Sequence, residues 1–275
     1  MKRHPSLAAG LAFFLFFLIV GVSVFAPLLA PWDPEKLDLL NRVAPPTAEH
    51  WLGTDAMGRD LLSRVMYGGR QSILLAFLAT AASMGVGLVL GTLAGYYGGA
   101  VDLCLTAVSS IFQGLPGTTM LIALAGVLGP GIHSLLIALT LTSWVGFSRI
   151  VRGEVLRVRE EYYIESARAM GFSDRRILAR HLLPGIFEST MVWFTNRIGS
   201  SLLSVASLSY LGLGLQPPAP DWGIMIKEAR TYFLSAPRLA VAPGVCIVLF
   251  VLSIHTIGDW LRDRADVRSE PPVSL

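Results

Sequence analysis

Imidazole is the first side chain to look for, because it can act as a base or a metal ligand near neutral pH. The five histidines (His4, His50, His133, His181 and His255) are scattered, and no pair has ligand spacing on a helix. A metal bound by this chain alone is therefore not expected. Cys104 and Cys246 both sit in long apolar runs and read as small buried apolar side chains, since a disulfide framework or a zinc site would need more thiols or a spaced His/Cys cluster. Only Lys2, Lys36 and Lys227 are present, and none follows a Gly-rich strand-to-helix turn. A phosphate-binding loop needs Lys after G-x-x-x-x-G, so this chain is not expected to hold ATP. There is no H-E-x-x-H stretch, and no Ser/His/Asp set suggests a nucleophile. What remains is polar groups embedded in apolar sequence. Glu165-Ser166-Ala167, Gly171 and His181-Leu182-Leu183-Pro184 lie between two apolar runs; Arg197, Ser200, Ser201, Ser204 and Ser207 recur at spacings of three and four; Asp221-Trp222 follows a proline-rich turn. Such groups can dock a partner or line a path. They do not suggest covalent chemistry.

The elements that position them are long uncharged runs. Apolar residues make up 53% of the 275, charged residues 15%, and mean hydropathy is +0.60, which excludes a disordered chain and argues against a soluble enzyme. A net charge of +3 forms no basic block, so no nucleic-acid partner is expected. Leu7 to Ala30 supplies 24 mostly apolar positions, enough to cross a hydrocarbon layer of ~30 Å. It follows a basic Met1-Lys2-Arg3, as a signal peptide does. The run exceeds a signal h-region, though, and Pro31 would follow the cut, so it reads as a retained helix. Further spans are expected over Gln71–Val101, over two helices within Leu103–Ser148 separated by Gly129-Pro130-Gly131, over Ile186–Leu215 and over Leu239–Gly258. Runs of this length suit helices and not alternating strands of ~10 residues. The expectation is an all-α polytopic membrane protein with six transmembrane helices.

Lys and Arg near the span ends set the orientation. With the N-terminus inside, inner segments carry 13 and outer segments 8, which places both termini in the cytoplasm and makes 149–185 the largest cytoplasmic element. Within it, Glu160–Met170 can form a helix ended by Gly171 in the left-handed conformation. Ser173 can cap a second helix over Asp174–Leu183, which Pro184 would stop. Ile164, Ala167 and Met170 give the first helix an apolar edge. That edge suits either a docking partner or anionic lipid.

This loop resembles the EAA loop of ABC importer permeases: Glu165, Ala167, Gly171 and Leu183-Pro184 fall at the family's offsets, with Ser166 for Ala and Gly185 where the subfamily often has Asn. The resemblance implies that Glu165, Ser166, Ala167, Gly171, His181, Leu183 and Pro184 contact and transmit the closure of an ATPase subunit. A second resemblance spans about residues 7–266. His50-Trp51-Leu52-Gly53-Thr54-Asp55, Gly58-Arg59-Asp60, Ser63-Arg64, Gly95-Tyr96-Tyr97-Gly98-Gly99, Leu208-Ser209-Tyr210-Leu211-Gly212, Trp222-Gly223 and Gly258-Asp259 are similar to the C-type permease subunit of the peptide/nickel ABC importer family. The third span departs from that family, with Ala107, Val108, Ser109 and Ser110 where an Arg and an Asp are usual. The family implies a type I importer permease fold with a MetI-like core. Residues 1–69 would form an N-terminal helix plus external segment, 70–260 the core with its loop, and 261–275 a cytoplasmic tail. It also implies a bacterial inner-membrane location and binding-protein-dependent import. The partners would be a second, B-type permease, two ATPase subunits holding ATP and Mg, and a solute-binding protein. The solute would be a small peptide, nickel or a metal chelate; Gly126-Val127-Leu128-Gly129 and the short N-terminus look somewhat like nickel members.

Three features have two readings each. The stripe Arg197, Ser200, Ser204 and Ser207 lines a solute path or makes interhelical hydrogen bonds, and an Arg at a helix centre must face protein or water. Gly114-Leu115-Pro116-Gly117 breaks the third span for transport or for packing. Asp221 and Trp222 sit at the external mouth, with Trp222 either an interfacial anchor or a binding-protein contact, and Lys227, Glu228 and Arg230 facing water. Gly87, Gly91 and Gly95 form a face for close helix packing. The rival from another class is an ion-coupled carrier or channel, which predicts ion-binding groups deep in the spans. Only Glu188 and Arg197 interrupt them.

Overall fold

A computed structural model describes residues 7–269. Lys2 and Arg3, counted above with the inner segments, His4, and residues 270–275 of the tail lie outside the described residues. The helices in chain order are α1 (Leu7–Val24), α2 (Ala26–Leu29), α3 (Leu61–Tyr97), α4 (Gly99–Gln113), α5 (Gly117–Leu128), α6 (Ile132–Arg159), α7 (Tyr162–Ala169), α8 (Asp174–Ile177), α9 (Leu183–Leu211), α10 (Trp222–Ala229) and α11 (Arg238–Ser269). Among the described residues there is no strand, only an isolated bridge between Thr54 and Asp60.

Among the described residues, four helices are long and apolar enough to cross a bilayer: α1, α3, α6 and α11. The helices α4 and α5 count as a fifth span if taken together, bent by 88° at the expected Gly-Leu-Pro-Gly break. The helix α9 has the length, at 29 residues, but not the hydropathy, because Glu188, Asn196, Arg197 and six serines interrupt it. Six long helical units are thus present, and one of them is not made for lipid on all sides.

The helix α3 begins ten residues before the uncharged run, so residue 70 falls inside it. Asp60 starts it by accepting from Ser63 N at 2.7 Å, and Arg64 is admitted because its charge is paired. The expected glycine face packs α3 on α6. A Cβ on Gly91 would come within 2.5 Å of Ser148 O, and one on Gly87 within 2.4 Å of Phe147 Cβ, so only glycine allows this backbone approach.

Three expectations need correction. Pro184 does not stop a helix: it occupies the first turn of α9, where its missing N–H breaks no bond, and a π turn over Leu178–Leu182 joins α8 to α9. Cys104 is exposed instead of buried, because α4 keeps only Ser109 fully covered. The fourth expected span does not end near Ser148: α6 runs on to Arg159, so residues 149–159 of the expected loop are helical.

Two apolar cores result. The larger joins α3, α5, α6, α9, α10 and α11 around Leu75, Leu135, Leu202, Trp222 and Phe250. The smaller lies at the α7–α8 end and gathers Tyr96 of α3, Val151, Val155 and Val158 of α6, Ile164 and Ala167 of α7, and Ile177 of α8.

Candidate functional site

The α7–α8 element is built by a turn that suits glycine. Gly171 has φ +77°; its N–H donates to Arg168 O at 2.9 Å, and Phe172 N–H reaches back to Ala167 O at 3.1 Å. This pair of bonds is the Schellman end of α7. It turns the chain so that α8 packs beside α7 instead of extending it. Ser173 then stands at the N-cap of α8, but its backbone carbonyl, not its side chain, receives the Arg176 and Ile177 N–H groups. Phe172 is stacked on His181, ring centroids 6.1 Å apart, with the Arg176 guanidinium 4.2 Å from the Phe172 centroid.

This folding divides the seven residues of the loop signature. Glu165, Ser166, Gly171 and Pro184 are exposed, His181 and Leu183 are half-buried, and Ala167 is buried at 1%. Ala167 cannot be a surface docking residue as expected; with Ile164 it fills the inner core. Met170, expected on the same apolar edge, lies outside that core at 65% exposure. The outward face of α7 is therefore Tyr162, Glu165, Ser166, Ala169 and Met170. The inward face is tied down by polar contacts as well. Tyr96 Oη donates to Asp174 Oδ1 at 2.7 Å, and the Arg168 guanidinium lies 5.2 Å from the Tyr96 ring centroid.

The stripe on α9 keeps only part of its expected membership. Arg197 and Ser207 are exposed and Ser200 and Ser204 half-buried on one face, whereas Ser201 is buried and receives the Thr80 hydroxyl at 2.8 Å. The Ser204 and Ser207 hydroxyls donate to the carbonyls of Ser200 and Leu203. Across the chain a recess of about 640 Å³ opens between the α4–α5 bend and α6, lined by Gln113, Thr142 and Arg149 among others. Arg149 donates to Gln113 Oε1 there.

The α10 end differs most from expectation. Trp222 is buried at 1%, with its ring over Gly68 and Gly69 of α3 and its Nε1 donating to Val65 O at 2.9 Å. It is a core residue, not a membrane-interface anchor and not an exposed contact. Asp221 is fully buried, caps α10 through Gly223 N and Ile224 N, and accepts the Ser72 hydroxyl at 2.7 Å. Burial pushes its carboxyl above the usual range, against the pull of Ser72 and those N–H groups. Lys227 and Arg230 are exposed as expected, but Glu228 turns inward. It receives Arg59 Nη2 at 2.9 Å and Arg64 Nη2 at 3.0 Å, and Asp55 holds the same two guanidiniums at 2.6 and 3.4 Å. This neutral set of four joins the segment before α3, α3 itself and α10. Its signal was present in the sequence as the i, i+4 spacing of Asp55 and Arg59 beside Arg64, but Glu228 lies 164 residues beyond Arg64.

Residues 87–269 match the family described as binding-protein-dependent transport system inner membrane component. Residues 1–46 match the N-terminal TM domain of oligopeptide transport permease C. The chain belongs to this permease family. Among curated relatives, the glutathione transport system permease protein GsiD of Pectobacterium atrosepticum is 40% identical over 97% of this chain and 88% of its own length. GsiD of an Escherichia coli strain is 43% identical over 96% and 87%. An inward-facing structure of the MetNI methionine ABC transporter has TM-score 0.61 at 19% identity, covering 74% of this chain and 97% of that one, a likeness of fold. The permease is thus a C-type subunit of the peptide/nickel importer family and part of an ATP-driven importer, multi-pass in the inner membrane. The ion-coupled carrier is set aside by that membership.

Proposed function

We propose that this permease imports a small peptide, of the kind glutathione represents, handed over by an external solute-binding protein. The observation that carries the reading is the whole-chain likeness to GsiD, at 40–43% identity over 96–97% of the chain. In this reading a second, B-type permease completes the path, and two ATPase subunits hold ATP and Mg. Both termini are cytoplasmic. The outward face of α7, with Glu165, Ser166, Ala169 and Met170, sits in the ATPase subunit. Closure of the ATPases on ATP moves α7–α8, the helices open outward to accept solute, and hydrolysis resets the inward state. The coupling requires that α7–α8 bind the ATPase differently in the two states. Arg197, Ser200, Ser204 and Ser207 supply part of the path wall. The assembled importer in proteoliposomes tests this reading. ATP-dependent accumulation of labelled glutathione, stimulated by the binding protein and not displaced by a nickel chelate, is the expected result. Accumulation of the nickel chelate with no glutathione uptake would overturn the solute.

A further inference from the structure

We infer that Tyr96 is a positioning residue whose hydrogen bond to Asp174 makes α3 the strut carrying motion of α7–α8 to α10 at the outer face. The inference rests on the reading of α7–α8 as the ATPase contact. The helix α3 runs unbroken through 37 residues, about 55 Å at the helical rise, and has no proline at which to flex. Its cytoplasmic end is held by the coupling element. Tyr96 is the one fully buried α3 residue of the inner core. Two polar contacts from the coupling element converge on it: the hydroxyl bond to Asp174 of α8 at 2.7 Å and the Arg168 guanidinium of α7 over its ring. Arg159, at the end of α6, donates to the carbonyls of Gly95 and Tyr96 at 3.2 and 3.1 Å and fixes the last turn. The outer end of α3 is held by α10. Ser72 donates to Asp221 and accepts from Trp222 N at 3.1 Å, Trp222 Nε1 reaches Val65 O, and Arg64 pairs with Glu228. The hydrogen bonds among these contacts are short and directional; the Ser72, Asp221 and Trp222 bonds of the outer end are buried, and at the inner end Tyr96 is buried while Asp174 and Arg168 are exposed. A displacement of one end therefore moves the other instead of being absorbed between them. A two-state element biased from both ends is what coupling over such a distance needs.

The test uses the complete importer with Cys104→Ser and Cys246→Ser, spin-labelled at Lys227→Cys on α10 and Val127→Cys at the end of α5, both exposed positions. Interspin distances are compared without nucleotide and after trapping with ATP and vanadate. The parent should show a nucleotide-dependent change. Tyr96→Phe, which keeps the ring and loses the hydroxyl, should at least halve that change while trapping the same amount of nucleotide. Asp174→Ala should also diminish that change per trapped complex, and the two together should diminish it no more than either. A parent-sized change in Tyr96→Phe, or no change at α10 in the parent, overturns the inference. The ATPase-contact reading has its own indicator. Ala169→Arg, on the exposed face of α7, should release the ATPase subunits during purification, and retention of them would overturn that reading irrespective of Tyr96.

Discussion

Replacing Glu228 with Gln keeps the shape of the side chain and removes one of the two negative charges that hold Arg59 and Arg64. Those arginine side chains are 2% and 1% exposed, so neither can turn to water, and Asp55 would be left to serve both. Removing one partner of a buried ion pair costs about 3–5 kcal/mol, because the remaining charge stays desolvated. Glu228 is itself 25% exposed, which lowers the expected cost to about 2–3 kcal/mol. The internal comparison is Glu154→Gln, which breaks an i,i+3 pair with Arg157 whose side chains are 24% and 57% exposed and should cost under ~1 kcal/mol. On the scale of about 2–4 °C per kcal/mol for a chain of this size, Glu228→Gln should lower the detergent melting midpoint by roughly 5–10 °C. Adding Arg64→Gln restores neutrality, so the double variant should lose less than the two single losses combined. Fluorescence-detected size exclusion after heating reads all of them. A Glu228→Gln shift no larger than that of Glu154→Gln would refute the view that this set clamps the segment before α3 to α10.

Gly171→Val should leave an assembled importer with weak solute-stimulated ATPase activity, because a β-branched residue at φ +77° strains the turn even though nothing crowds its Cβ; Gly171→Asn should retain most of it, and equal activity of the two would reject the turn argument. In a background lacking Cys104 and Cys246, Ser235→Cys should react with an impermeant maleimide on intact cells and Ser173→Cys only after permeabilisation; the reverse pattern would reject cytoplasmic termini. Because burial raises the folded-state pKa of Asp221 above its ordinary 3.8, the folded chain binds that proton more readily than the unfolded one, so stability from this group rises as pH falls through the raised value and levels off below 3.8. Asp221→Asn should remove that slope from the melting midpoint, and an unchanged slope would contradict the shift.

What was legible in the sequence is what depends on local periodicity and on charge interruption. The breaks at Gly114–Gly117 and Gly129–Gly131, the glycine face of α3 and the left-handed Gly171 all lie where the chain's local chemistry demands them. What was not legible depends on partners distant in sequence. The start of α3 was hidden because Arg64 and Arg70 look like the boundary of an uncharged run, and it takes Glu228, from α10, together with Asp55 to make Arg64 an acceptable helical residue. Trp222 failed for a similar reason. Indole is amphipathic and fits a membrane interface, a protein contact or a core equally well. The residues that decide among them are Gly68 and Gly69, whose missing side chains leave the space the ring fills. Ala167 was legible as a small residue needing close approach, but not which of its two neighbours, this chain or a partner, comes close.

The composition of α9 carries an argument about what lies outside this chain. Arg197 is the midpoint of Leu183–Leu211, and with Ser207 it is exposed on the chain's own surface. A charged residue at mid-bilayer costs ~2.5–3.5 kcal/mol even on insertion scales, so lipid is a poor neighbour for this face. The two serine hydroxyls that donate to carbonyls one turn back need no other partner, which leaves their oxygens and the guanidinium as the polar surface on offer. The opposite face, with Ile198, Leu202 and Val205, is filled by the larger core. The exposed side of α9 is mixed, because Phe187, Trp193, Leu203 and Leu211 stand there beside Arg197 and Ser207. The polar middle of that side, around Arg197, is the physical reason for proposing the second permease and the solute path against α9.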